Sequence, residues 1–139
     1  MLNEILNAVT GRLNELFGEN YTIYTDKAGQ EFQKPCFFVR ISETSERPMI
    51  GRRYFRRTGI AIQYFSIEKS SREENQVLDI LMEGMESVAL ENGRQLSGTN
   101  RKSGAEEGIL TFYVNYDQFI VKEKAETPME ELEMKGGIV

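Results

Sequence analysis

The chain has no histidine among its 139 residues, and that absence excludes more chemistry than any residue present supplies. Without imidazole there is no Ser-His-Asp triad, no Cys-His pair and no histidine metal site, and the commonest general acid–base is gone. Cysteine is nearly missing as well. Cys36 stands alone, so no intramolecular disulfide can form. Its neighbours Pro35, Phe37 and Phe38 read as strand, which favours a buried, inert thiol over a nucleophile. A lone thiol fits a cytosolic setting. Long apolar runs are absent, and nothing approaches the ~20 residues of a membrane span. The opening Met1-Leu-Asn-Glu-Ile-Leu-Asn has neither the basic nor the apolar region of a signal peptide. Gly51 and Gly59 flank a strand, and Gly104 and Gly108 a turn. None leads into a helix as a phosphate-cradling loop must.

What is present describes one ordinary domain. Hydrophobic residues make up 40% and charged residues 28%, enough for a core without staples. The net charge of −5 disfavours a nucleic-acid binder, whose phosphate contacts need a basic face.

Leu2, Ile5, Leu6, Val9, Leu13, Leu16 and Phe17 recur at three- and four-residue spacing, which predicts a helix over 2–17 ended by Gly18. Residues 21–25 read as a short strand. In residues 36–42, Phe37, Val39 and Ile41 share one face and should be core. Residues 43–51 read as a polar loop, and the next strand runs to about Ser66. Ser70 with Glu73, and Ser71 with Glu74, form overlapping capping boxes. The helix they open should bury Val77, Leu78, Leu81, Met82, Met85 and Val88 and end at Asn92-Gly93. Its methionines read as core filler rather than a cofactor box.

Residues 94–103 and 108–121 then form a hairpin, with Leu110, Phe112, Val114 and Tyr116 as one apolar row. Straight, its second strand would span roughly 45 Å. A compact domain of this length is roughly 35–40 Å across. The hairpin must therefore bend, bulge or protrude, and a protruding ribbon bearing Tyr113, Tyr116 and Phe119 would want a partner.

Two constellations could carry function. Residues 47–57 hold Arg47, Arg52, Arg53, Arg56 and Arg57, interleaved with Tyr54 and Phe55 and free of acid. Such a block can be a solvated edge strand, an interface pairing with carboxylates, or a stacking surface for single-stranded nucleic acid. The acidic remainder of the chain, including Glu73, Glu74, Glu106 and Glu107, shifts weight toward an interface between copies. The carboxylate pairs Glu73–Glu74, Glu106–Glu107 and Glu130–Glu131 raise a two-carboxylate hydrolase. Each sits where structure alone calls for acid: a helix start, a hairpin turn and the C-terminal tail. That tail, residues 123–139, is charged and reads as disordered or docked on a neighbour. Thr127-Pro-Met-Glu-Glu-Leu132 carries a helix-start signature, with Met129 and Leu132 as anchors.

With these residues in view, the chain resembles the tail terminator family of bacteriophages, prophages and phage-tail-like particles of Gram-positive bacteria. The resembling segments are Cys36-Phe-Phe-Val-Arg-Ile, Gly51-Arg-Arg-Tyr-Phe-Arg-Arg, Ile62-Gln-Tyr-Phe, Leu96-Ser-Gly-Thr-Asn and Phe112-Tyr-Val-Asn-Tyr, within residues 2–122. Thr58-Gly59-Ile60-Ala61 departs from the Pro-Phe-Asp type strand start expected there.

The resemblance implies a non-enzymatic α+β subunit, without cofactor or metal, that forms a hexameric ring. The ring would cap the tail tube, stop its polymerisation and present a surface to neck or sheath proteins. Nucleic acid would meet it only in passing through the lumen. Its place would be the host cytoplasm during assembly and then the mature tail or a bacteriocin-like particle. A head–tail connector is the alternative within virion assembly. The expected fold is a mostly antiparallel sheet of about four to five strands with two helices on one face. A long C-terminal hairpin and the charged tail complete it, with residues 1–122 as the domain. The interface should use Arg47, Arg52, Arg53, Tyr54, Arg56, Arg57, Tyr113, Tyr116 and Phe119, with Met129 and Leu132 from the tail.

Overall fold

Alternating aromatic and β-branched residues in the middle of the chain pair into one sheet, and two apolar-striped helices cover it. The computed structural model describes residues 1–25, 33–106 and 109–122. Its elements are α1 (Leu2–Phe17), β1 (Thr22–Tyr24), β2 (Cys36–Pro48), β3 (Arg53–Phe65), α2 (Ser71–Gly84), β4 (Ser87–Ala89), β5 (Gln95–Glu106) and β6 (Ile109–Val121). Residues 123–139, with Met129 and Leu132, lie outside the described residues.

The sheet corrects the expected mostly antiparallel arrangement of four to five strands. It has six strands in the order β1-β2-β3-β6-β5-β4, with β1 parallel to β2, curled into a half-barrel, so the architecture is mostly β with two helices. The difference lies at the edges. β1 forms where a short strand was expected but pairs parallel to β2, and β4, three residues long, is too short for alternation to show.

The predicted second helix also ends early, at Gly84. A Cβ at Gly84 would collide with the Leu16 side chain of α1, so the glycine lets the two helices approach. From there the backbone joins the sheet: the Gly98 N–H donates to Glu86 O at 2.6 Å, and Val88 pairs with Leu96. Val88 is buried as expected, but from a strand. At the helix start, Ser70 accepts from the Glu73 N–H at 3.4 Å. The Glu73 carboxylate does not close the box. It accepts from the Tyr64 hydroxyl instead, which ties the helix start to β3.

The core lies between the helices and one face of the sheet. Ile5, Val9 and Leu13 from α1, and Val77, Leu81 and Met85 from the α2 region, meet Phe37, Val39, Ile60, Ile62, Tyr64, Phe112, Val114 and Tyr116. Each large apolar side chain there contributes roughly 1.5–3 kcal/mol of burial. Tyr116 donates its hydroxyl to Met85 O at 2.9 Å, which satisfies a carbonyl just past the helix. Burial pushes the pKa values of both Tyr64 and Tyr116 upward. The free Cys36 is buried on the opposite face, and desolvation raises its thiol pKa, consistent with an inert side chain.

The long strands bend and also continue beyond the core. Register shifts occur between Ile41 and Glu43 in β2 and between Thr99 and Lys102 in β5, at the same level of the sheet. Such irregularities increase local twist and bend the strand. Gly59 of β3 sits beside the first, where a Cβ would lie 2.8 Å from Ser42 Oγ and 3.2 Å from Asn115 Oδ1. Past this level, residues 43–48 are not the expected loop. They extend β2 and pair with β3 from Gly59 to Tyr54. Lacking apolar alternation, they gave no strand signal in the sequence.

Candidate interaction surface

The clustered core stops at Ile60 in β3 and Tyr116 in β6. Beyond it, β2, β3 and β6 continue as a three-stranded ribbon ending in the 49–52 turn, with residues 42–53 all exposed. The shift after Ile41 sets its two faces. It places Ser45 opposite Arg57 and Arg47 opposite Phe55, while β6 brings Asp117 opposite Arg57 and Phe119 opposite Phe55.

One face is therefore an arginine–aromatic layer. Phe55 and Phe119 meet edge-on with ring centroids 5.3 Å apart. The Arg47 guanidinium lies 4.9 Å from the Phe55 centroid, Arg57 lies 5.6 Å from the same ring, and Arg53 lies 5.6 Å from Phe119. Cations over aromatic faces are attracted by the ring quadrupole, by about 0.5–1 kcal/mol each where exposed. Arg57 also donates bidentately to Asp117 at 2.9 and 3.0 Å, which raises its pKa further, and Thr99 Oγ1 donates to the same carboxylate at 3.1 Å. This ties the ribbon to β5.

The opposite face carries Tyr54, Arg56 and Glu46. Glu46 accepts from Lys122 Nζ at 2.6 Å and from Arg56 at 2.8 and 2.5 Å. These bonds, Lys122 first, hold its carboxyl below the usual carboxylate range. Lys122 Nζ also lies 4.2 Å from the Tyr54 ring centroid. Arg56 reaches Met1 Sδ at 2.9 Å, so the start of α1 lies against this face.

The expected arginines thus divide into two groups. Arg56 and Arg57 are neutralised within the chain. Among the described residues, Arg47, Arg52 and Arg53 form no ion pair, and all three are exposed. Tyr54 is half-buried and Phe119 is exposed beside these arginines. Tyr116 is not at the surface: it is fully buried in the core. Tyr113 lies further along β6, in a cleft of about 470 Å³ with Ser42, Glu43, Asn100, Lys102 and Asn115. Sequence reasoning missed Glu46, Asp117 and Lys122. Asp117 had a signal, since once β3 and β6 are paired in register, an acid falls opposite Arg57.

The remaining chemical candidates do not converge. The cleft brings together one carboxylate, Glu43, and one ammonium, Lys102. Glu73 is engaged by Tyr64, while Glu107, Glu130, Glu131 and the side chain of Glu106 lie outside the described residues. Among the described residues no three acidic or thiol groups gather as a metal set, and no helix is long and apolar enough to cross a membrane.

In comparison with known families, residues 4–128 fit the model of a family described as phage tail terminator protein. The match begins in the first turn of α1 and covers the rest of that helix, α2, the whole sheet and the ribbon. A comparison with curated proteins gives no match.

Proposed function

The chain belongs to the phage tail terminator family, and from that premise we propose that copies of it close into a hexameric ring that caps the tail tube and stops its growth. The role is assembly, not catalysis. The observation that carries this reading is the ribbon: a three-stranded extension past the core where exposed Arg47, Arg53 and Phe119 surround a half-buried Phe55. Arginine and aromatic residues are enriched at protein interfaces, the aromatics because they offer large contact area with few rotatable bonds, arginine because its planar guanidinium presents several donors and stacks on rings.

Termination follows from asymmetry. A tube grows while each added layer recreates the surface it was added to. A ring that matches the tube on one face and differs on the other removes that surface, and heterologous growth ends. The outward face would then receive neck or sheath proteins, first met in the host cytoplasm. A place at the connector on the head side is the competing role.

The test is to polymerise purified tube protein with and without the full chain and image the products. The proposal expects a ring of density at one end of each tube and tubes whose length stops increasing. Tubes that grow equally long with bare ends would reject it. Density on isolated portals and none on tubes would favour the connector role.

A further inference from the structure

The ribbon tip and the outer face of α2 are both unfinished surfaces, of opposite charge. Among the described residues, seven large hydrophobics are exposed: Met1, Met49, Ile50, Ile67, Ile80, Phe119 and Val121. Four of them, Met49, Ile50, Phe119 and Val121, lie together at the tip, where Val121 pairs with Arg53 and the Met49 N–H donates to Arg53 O at 2.8 Å. Ile50 is 92% exposed. Around this apolar patch stand Arg47, Arg52 and Arg53, none of them in an ion pair among the described residues.

The complement is on α2. Gln76, Asp79, Ile80 and Glu83 fall at helical spacing on one exposed stripe, with Glu86 just beyond the helix. Ile80 is an apolar point flanked by acids that form no ion pair among the described residues. α1 offers no such feature. Its exposed positions after Met1 are Asn3, Glu4, Asn7, Gly11, Asn14 and Glu15, with no large apolar residue among them.

Resting on the ring reading above, we infer that the tip of one copy docks on the α2 stripe of the next, with Ile50 and Met49 against Ile80 and Arg52 and Arg53 against Asp79 and Glu83. A chain of net charge −5 repels its own copies unless they approach in the right orientation. A local basic tip supplies that orientation, since complementary patches steer encounter and fix register. The two patches are different surfaces of one chain, so the contact is heterologous. Each copy uses one tip and one stripe, and a closed ring leaves neither over.

Charge exchange tests the contact directly. Two variants of the full chain are needed: Arg52→Glu with Arg53→Glu, and Asp79→Lys with Glu83→Lys. Both sets are exposed, so each variant should melt within a few degrees of the parent. Sedimentation of each, free and with purified tube protein, should show self-association weakened at least tenfold relative to the parent. An equimolar mixture should recover assembly, because each reversed patch then meets a reversed partner. Raised salt should weaken the parent assembly, as screening acts on exposed charge. A parent that never associates, free or on tubes, rejects the ring itself. A parent that associates while both variants assemble unchanged, or while the mixture fails to recover, rejects this contact and leaves the ring standing. A tip variant that still forms rings but no longer binds tube protein, or no longer retains single-stranded DNA, would assign the tip to that partner and overturn the inference.

Discussion

Glu46 is held by cations from two other strands, Arg56 of β3 and Lys122 at the end of β6. Because these bonds lower its folded pKa, the unfolded chain binds a proton there more readily than the folded one. The contribution is therefore complete above the ordinary carboxylate pKa of about 4.3 and is lost as pH falls through the lower folded value. Glu46→Gln should flatten the acid side of the stability profile. Urea midpoints between roughly pH 5 and pH 3 would read this, and an unchanged slope would mean the bridge contributes nothing. A second pivot is the carbonyl of Met85. It accepts from the Tyr116 hydroxyl, and a Cβ on Gly98 would come within 2.5 Å of it. Tyr116→Phe should cost about 1–3 kcal/mol by leaving a buried acceptor unmet. Gly98→Ala should cost about 1–3 kcal/mol through overpacking. Because both act on one carbonyl, their effects should not add, and chemical denaturation of the double variant checks this.

At the scale of elements, α1 is held by Ile5, Val9 and Leu13, all fully buried. Leu13→Ala should lower unfolding free energy by about 2–5 kcal/mol in a denaturant titration; a cost below 1 kcal/mol would mean the helix is not docked as described. This helix was legible in the sequence because its apolar stripe repeats over four turns. So was the core face of β2, from Phe37 and Val39, and so were the paired strands β5 and β6. The elements that escaped share a physical cause. β4 holds three residues, and its Val88 also satisfies the preceding helical spacing. Residues 43–48 are polar on both faces because the ribbon has no core beneath it, so period-two alternation had nothing to mark. The arginine block was visible as composition. Its division into neutralised and unpaired arginines depended on Glu46 and Asp117, which cross-strand register alone brings into reach.

At the scale of the whole molecule, charge is separated. The tip carries Arg47, Arg52 and Arg53, which form no ion pair among the described residues, while α2 carries Glu73, Glu74, Asp79 and Glu83 against a single Arg72. Such separation costs little in an isolated chain and steers complementary charged surfaces toward each other. Phe119, 52% exposed, should be dispensable to the monomer and not to the assembly. Phe119→Ser is expected to lower unfolding free energy by only about 0.5–1.5 kcal/mol, the edge-on contact with Phe55, and to leave the fold intact. It should also reduce the fraction of capped tubes, counted by electron microscopy. The most direct measurement is a cryo-electron microscopy reconstruction of the protein on the end of a tail tube. The account predicts that Arg52, Arg53, Ile50 and Phe119 lie covered by another polypeptide. The same residues facing bulk solvent or the lumen, in a capped and finished tube, would contradict it.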